Sequence, residues 1–404
     1  MAINVRPELF LSRSETTNKE CVRQEISQIF PQTNNITAGI LNGDVIFNLT
    51  TGADEWLDLY KLNIAMRFVP TYVAAASMDE YMSCVFDRAQ MYINGALVAA
   101  SNNYTEDNIL NKRLAFSAAY NTSINGLNFA APAAGTGGDA VVTLTNYTVL
   151  DHLDALFIRT PNLFVPPNSE VRLIFTCAVN NGVNKSTRVD AAAGMLTTAV
   201  SSLWLNTYTI TRPDKVPESY ELTLITPDSF KASIATAALD IQHMTKANLV
   251  RLSAFFISTA ATTAVTAGVN KLYTVPYFRY VTDGFAGATA LLNLYFKAGN
   301  QQLPQRQFDN TFQFTDAWNQ FAEMTDKGFD PAGSETEANW LIKGPIYTVP
   351  VIRSIKDTSR NIELHGNFTA APAALAYLVA HYEQHLTFTY DSYGSPTGAL
   401  IKSV

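Results

Sequence analysis

A chain of 404 residues holds one large domain or two ordinary ones, each with an apolar core of its own. Hydrophobic residues make up 47% and charged residues only 16%, with a formal net charge of −7, which excludes a disordered chain and a protein held to nucleic acid by a basic face. Cys21, Cys84 and Cys177 are too few and too widely spaced for a disulfide framework or a structural zinc site, so they are expected as reduced thiols in a reducing compartment.

The first twenty residues carry no apolar run of secretory length. Glu20–Phe30 places Val22, Ile26 and Ile29 at helical spacing and predicts a short helix in an N-terminal segment, 1–38. A strand over Val45–Leu49 follows the Asn42-Gly43-Asp44 turn, and Leu57–Phe68 predicts a second. Gln90–Val98 contains Asn94-Gly95 between apolar residues, a strong hairpin signal, because a primed turn requires positive φ at both positions. Asn108–Tyr120 predicts a helix, with Thr105 as a candidate N-cap ahead of acidic residues. Val171–Ala178 is a strand led by Pro166-Pro167, and Trp204–Ile210 alternates until Arg212-Pro213-Asp214 stops it.

Beyond that stop the strands resume at Tyr220–Ile225, Leu249–Ile257 and Leu291–Gly299. A helix is predicted over Phe314–Met324 with Thr315 as its candidate cap, and two strands, Leu375–Tyr382 and Leu386–Tyr390, come last. Many short strands and few helices predict an all-β class of packed sheets. Leu114–Gly138, Ala191–Thr211 and Leu252–Asn270 lack charge, but their Asn, Gly, Pro, Ser and Thr content does not suit a membrane span. Seven Asn-x-Ser/Thr triplets fit chance in an Asn- and Thr-rich chain.

The two halves share a layout. In each, a strand and turn lead through a polar connection to a helix, and Gly95 and Gly299 stand 204 residues apart. A Pro-led strand, from Pro167 or from Pro372, and a final Thr/Tyr-containing strand follow. That period suits two copies of one domain, each large enough for an eight-stranded jelly roll, with bounds at 39–214 and 215–404.

No motif carries chemistry. His381 and His385 flank Glu383 in HYEQH, which departs from the H-E-x-x-H zinc pattern and lies in a strand-like stretch. There is no nucleophile elbow and no phosphate loop, and Gly135–Gly138 suits a surface loop. Asp54-Glu55, Asp107, Asp151 and Asp154 are the carboxylates that spatial pairing would turn into a glycosidase-like pair. Arg67, Arg88, Lys112-Arg113, Arg251 and Arg306 are scattered, and no basic arm precedes the first strands. We expect no catalytic, cofactor or metal residues.

The stretch FDRAQMYINGALVAASNNYTEDNILNKRLAF resembles double jelly-roll major capsid proteins of polinton-like viruses, adintoviruses and virophages. FVPPNSEVRLIFTC, RPDKVPESYELTLITPDSF, LNLYFKAGNQQLPQRQFDNTFQFTDAWNQF and LHGNFTAAPAALAYLVAHYEQHLTFTYDSYG are similar to that family's later strands, crossover, second hairpin and closing strands. The resemblance implies two tandem jelly rolls and a homotrimer of pseudo-hexagonal outline tiling an icosahedral shell around DNA. It also implies penton and minor capsid proteins as partners, no sequence-specific nucleic-acid binding, and a virion location after folding inside the host cell. Tyr120–Leu150 and Asn180–Val200 would be its large loops. Two other readings stand beside it: a single jelly-roll shell protein with a projecting domain, and a β-sandwich carbohydrate-binding protein or glycosidase.

Overall fold

The computed structural model describes residues 23–33, 35–71, 76–78, 84–115, 147–160, 163–179, 187–189, 197–211, 219–244, 247–258, 290–310, 315–324, 337, 340, 345–351, 361–390 and 396–402. The first half runs β1 (Arg23–Ile29), β2 (Ile36–Thr37), β3 (Ile40–Leu41), β4 (Asp44–Thr50), β5 (Glu55–Asp58), β6 (Asn63–Thr71), β7 (Ala76–Met78), β8 (Phe86–Ile93) and β9 (Ala96–Ser101). After helix α1 (Tyr104–Ala115) come β10 (Tyr147–Asp151), β11 (Phe164–Val165), β12 (Glu170–Cys177), β13 (Thr187–Val189) and β14 (Thr197–Thr211). The second half runs β15 (Ser219–Ser233), β16 (Ala238–Met244), β17 (Leu249–Ser258), β18 (Leu291–Ala298) and β19 (Gln301–Asp309). Helix α2 (Thr315–Met324), β20 (Tyr347–Pro350), β21 (Asn361–Phe368), β22 (Ala374–Tyr390) and β23 (Pro396–Lys402) complete it.

The duplication is written in the pairing. In the first half one sheet runs β10-β6-β14 with β1 on the far side of β14, and its facing sheet runs β4-β12-β8-β9. In the second half one sheet runs β20-β17-β22-β15, and the other runs β16-β21-β18-β19. When the eight main strands of each half are counted in chain order, both halves have the same two sheets, sixth-third-eighth-first and second-seventh-fourth-fifth. In both, a helix follows the fifth strand. This is the two-sheet arrangement of a jelly roll, built twice. The alternation that drives it is plain in β4, where Val45, Phe47 and Leu49 are buried between exposed or half-exposed neighbours.

The Asn94-Gly95 hairpin forms as expected: Ile93 pairs with Ala96, and both turn residues have positive φ, 49° and 79°. Its counterpart joins β18 to β19 through Gly299, at φ 62°. Other expectations need correction. Glu20–Phe30 is not a helix: residues 23–29 form β1, antiparallel to β14 from Arg23↔Thr211 to Ile29↔Leu205. The edge of β14 supplies a hydrogen-bond ladder that outweighs the weak helical spacing of a seven-residue polar stretch. Leu57–Phe68 is two strands, β5 and the start of β6, with buried Leu59 and Leu62 in the connection between them. Leu375–Tyr382 and Leu386–Tyr390 are one continuous strand, β22. The Pro-led landmarks are also offset: Pro167 precedes the seventh strand of its barrel and Pro372 precedes the eighth. Thr105 lies inside α1 and Thr315 begins α2. Thr315 Oγ1 meets Glu337 Oε1 at 3.2 Å.

Two buried clusters hold the molecule together, and they do not divide at the chain midpoint. The first barrel's core takes in Leu222, Leu224, Leu386, Phe388 and Tyr390 from β15 and β22. The second barrel's core takes in Ile109, Leu110 and Leu114 from α1. Each half thus lends apolar side chains to the other's core, at roughly 1.5–3 kcal/mol for each large one fully buried.

Candidate functional site

The largest concentration of buried charge lies where α1 of the first half covers the outer face of β15, β22 and β17. Every residue of α1 from Tyr104 to Leu114 is buried, although the helix carries Glu106, Asp107, Lys112 and Arg113. A helix this polar survives burial only if its groups are bonded on both sides.

On the first-barrel side, Asp151 at the end of β10 accepts hydrogen bonds from Asn108 Nδ2 at 2.8 and 3.0 Å and from the Tyr104 hydroxyl at 2.9 Å. Lys112 Nζ stands 3.1 Å from it. Burial raises the Asp151 pKa, but Lys112, Asn108 and Tyr104 outweigh it and hold the carboxylate below its usual range. Asp154 pairs with Arg159 Nε at 2.6 Å, and Arg159 also lies over the Tyr60 ring. Burial pushes Asp154 up to about 6 despite Arg159. His152 is pushed down to about 3, by burial first and then by Arg159.

On the second-barrel side, Tyr377 of β22 donates to Glu106 Oε1 at 3.1 Å. Asn111 faces both ways: its amide donates to the Asp154 carbonyl oxygen at 2.6 Å, and its oxygen meets His381 Nε2 at 2.8 Å. Asp107 Oδ2 accepts from Ser101 of β9 at 2.6 Å and from Ser229 of β15 at 3.1 Å, and Ser229 in turn accepts from Asn103 at 2.9 Å. One carboxyl group therefore ties a strand of each barrel to the helix between them. Burial raises Asp107 to about 8, partly offset by the two serines.

Three of the carboxylates singled out from sequence, Asp107, Asp151 and Asp154, gather around α1. They are enclosed and bonded, and they face protein rather than a cleft, so they serve as ties and not as a glycosidase-like pair. Asp54-Glu55 stays apart, with Glu55 Oε2 accepting from the Gly52 amide at 3.0 Å. His381 and His385 lie four residues apart on one strand, about 13 Å at 3.3 Å per residue, too far to share a metal ion. His385 bonds instead to Thr223 Oγ1 at 3.1 Å. Cys84 and Cys177 are free thiols, and burial pushes Cys177 up to about 12. Cys21, the Gly135–Gly138 run and most of the two long excursions lie outside the described residues. Sequence reasoning missed Tyr104, Asn108, Asn111, Arg159 and Ser229. The signal available was a helix of both charge signs, with few apolar residues, in a chain poor in charge.

Among the described residues, no helix is long and apolar enough to cross a membrane, and no three acidic, histidine or cysteine side chains gather to hold a metal ion. No family model and no curated protein matches the sequence. Solved structures do match in fold. The Sputnik virophage structure superimposes with a TM-score of 0.62 at 11% identity, covering 95% of this chain and 89% of that one. The PBCV-1 virus capsid gives 0.58 at 15% identity, covering 94% and 97%. The mavirus major capsid protein gives 0.51 at 9% identity, covering 93% and 90%. With one two-sheet strand order built twice and superposition along more than nine-tenths of the chain, the chain has the double jelly-roll fold.

Proposed function

We propose that this chain is a viral major capsid protein, a structural rather than catalytic molecule. The observation that carries the reading is the coverage of the likeness: along nearly the whole of each chain, this protein matches structures described as a virus capsid and as a major capsid protein. In this reading the protein associates as a homotrimer, so that six similar barrels give a pseudo-hexagonal outline, and trimers tile an icosahedral shell around a DNA genome. The chain divides at 39–214 and 215–404, with β1 added to the first barrel. Penton and minor capsid proteins complete the shell, and the protein folds in the host cell before it joins the virion.

Low charge and exposed apolar side chains support self-association. Edge strand β1 presents Ile26, and Phe30 follows it, both 63% exposed. Beside them Phe30, Ile36, Leu41, Val45 and Leu203 line a groove of about 230 Å³. The absence of a basic stretch in the sequence fits a shell whose genome is not held by an arm of this chain. Negative-stain imaging of the purified protein tests the proposal: hexagonal particles or closed shells are expected, and isolated particles of a single double barrel at every concentration would overturn it.

A further inference from the structure

Helix α1 follows the fifth strand of the first barrel and has both of its sides occupied. One side meets the sixth strand of its own barrel, β10, where Tyr104, Asn108 and Lys112 surround Asp151. The other side closes on the second barrel: Tyr377 donates to Glu106, and Ile109, Leu110 and Leu114 join that barrel's core. The sheet face it covers belongs to the first, eighth and third strands, β15, β22 and β17. On that face Tyr377, Val379 and His381 of β22 are buried.

Helix α2 stands at the same place in the second barrel, with one side occupied. It packs against the sixth strand, β20, through Phe321, Trp340 and Tyr347. On its other side Asp316, Asn319 and Glu323 recur at helical spacing and are exposed. The first barrel has the matching sheet face open. Among the described residues, β1 pairs as a strand only with β14. On the outer face of that pair Ile26 lies opposite Tyr208 and is 63% exposed, between exposed Gln24 and Gln28. Arg67 of β6 is exposed on the same face, 5.8 Å over the Trp204 ring. Within one chain the helix lies on the second barrel and the open face on the first.

We propose that the outer face of β1, β14 and β6 receives helix α2 of a second copy of this chain, so that the seam α1 makes within a chain recurs between chains. The established seam dictates the geometry: in both, the helix after a fifth strand lies between its own sixth strand and the first, eighth and third strands of the next barrel. Charge agrees with the pairing. Asp316 and Glu323 are the only charged residues of α2, and Arg67 offers them a cation on the receiving face. Gln24 and Gln28 add amide donors of the kind that tie α1. Each chain offers one helix and one face, so the contact is head to tail and closes into a ring. The inference rests on the homotrimer proposed above, in which seams within and between chains alternate around that ring.

The test is photo-crosslinking of the full chain carrying Ile26→benzoylphenylalanine, with the mass of the same protein followed by light scattering. The expected product is a two-chain band on a denaturing gel, in which mass spectrometry finds residue 26 joined to a peptide from 315–324. Ile26→Arg changes an exposed position, so it should keep the wild-type circular dichroism while raising the concentration of half-association at least about tenfold. Glu323→Lys should weaken association too, and Arg67→Glu added to it should restore part of the loss. Three-chain particles in which residue 26 joins another segment or none, or an Ile26→Arg protein that associates like the wild type, overturn this contact and leave the homotrimer standing. Single chains at every concentration, with no two-chain band, overturn both.

Discussion

The two barrels repeat one strand order but treat the helix after their fifth strand in opposite ways. Helix α2 is amphipathic and anchored by apolar contact: Ala317, Phe321 and Ala322 are buried, and Trp318, Phe321, Trp340 and Tyr347 form a chain of aromatic contacts. Helix α1 sends only Ile109, Leu110 and Leu114 into an apolar core, yet it is buried along its length, because it lies between two barrels and is also tied on both sides by carboxylates, amides and hydroxyls. Apolar packing is adaptable and non-directional, whereas the hydrogen bonds at α1 allow only one placement of the second barrel on the first. The same position in a duplicated fold thus serves as a cover in one copy and as a locating joint in the other.

Breaking each helix's anchor sharpens that contrast. Phe321→Ala should lower stability by about 3–5 kcal/mol in chemical denaturation, the usual cost of emptying an aromatic site. At α1, Lys112→Met leaves Asp151 buried without its cation and should cost about 3 kcal/mol by the same measurement. Replacing Asp151 by Asn in that background should recover part of the loss, whereas no polar second change should rescue the Phe321 variant.

The joint should also respond to pH where the cover does not. Asp107 is raised in the folded chain to about 8 from an ordinary value of 3.8, so folding favours its protonated form. Its contribution is complete below about pH 4 and is lost progressively as pH rises to about 8. Asp107→Asn should flatten that part of the stability profile, measured as the difference in Tm between wild type and variant across this range. A parallel pair of profiles would contradict the assignment.

The smallest effect concerns the first barrel's hairpin. Gly95 has φ 79° and open space where a Cβ would stand, so Gly95→Val should cost about 1–2 kcal/mol through the backbone alone. Asn94 Oδ1 also accepts from the Glu170 amide at 2.8 Å, so Asn94→Ala should add a loss of about 1 kcal/mol. A Gly95→Val protein with unchanged melting would break the turn assignment.

Local features were legible in the sequence and long-range ones were not. The Asn94-Gly95 turn announces itself because its chemistry is contained in two residues. The helical period of Ile26 and Ile29 misled because the partner that makes β1 a strand, β14, stands about 180 residues away. Strand β22 appeared as two because its middle, His381 to His385, is polar. There the strand passes from the second barrel's core to the first's, and its polar side chains meet α1 and β15 instead of an apolar interior. The joint around α1 was half visible: its acidic residues stood out, but their partners are scattered from Ser101 to His381 and only the fold assembles them.

If this double barrel is a building block for self-association, as proposed, the mass of the purified protein by light scattering after size exclusion shows it most directly. The expected result is a species of three chains of 44.3 kDa each, or larger closed assemblies. A single 44.3 kDa chain that persists at every concentration and salt would contradict it.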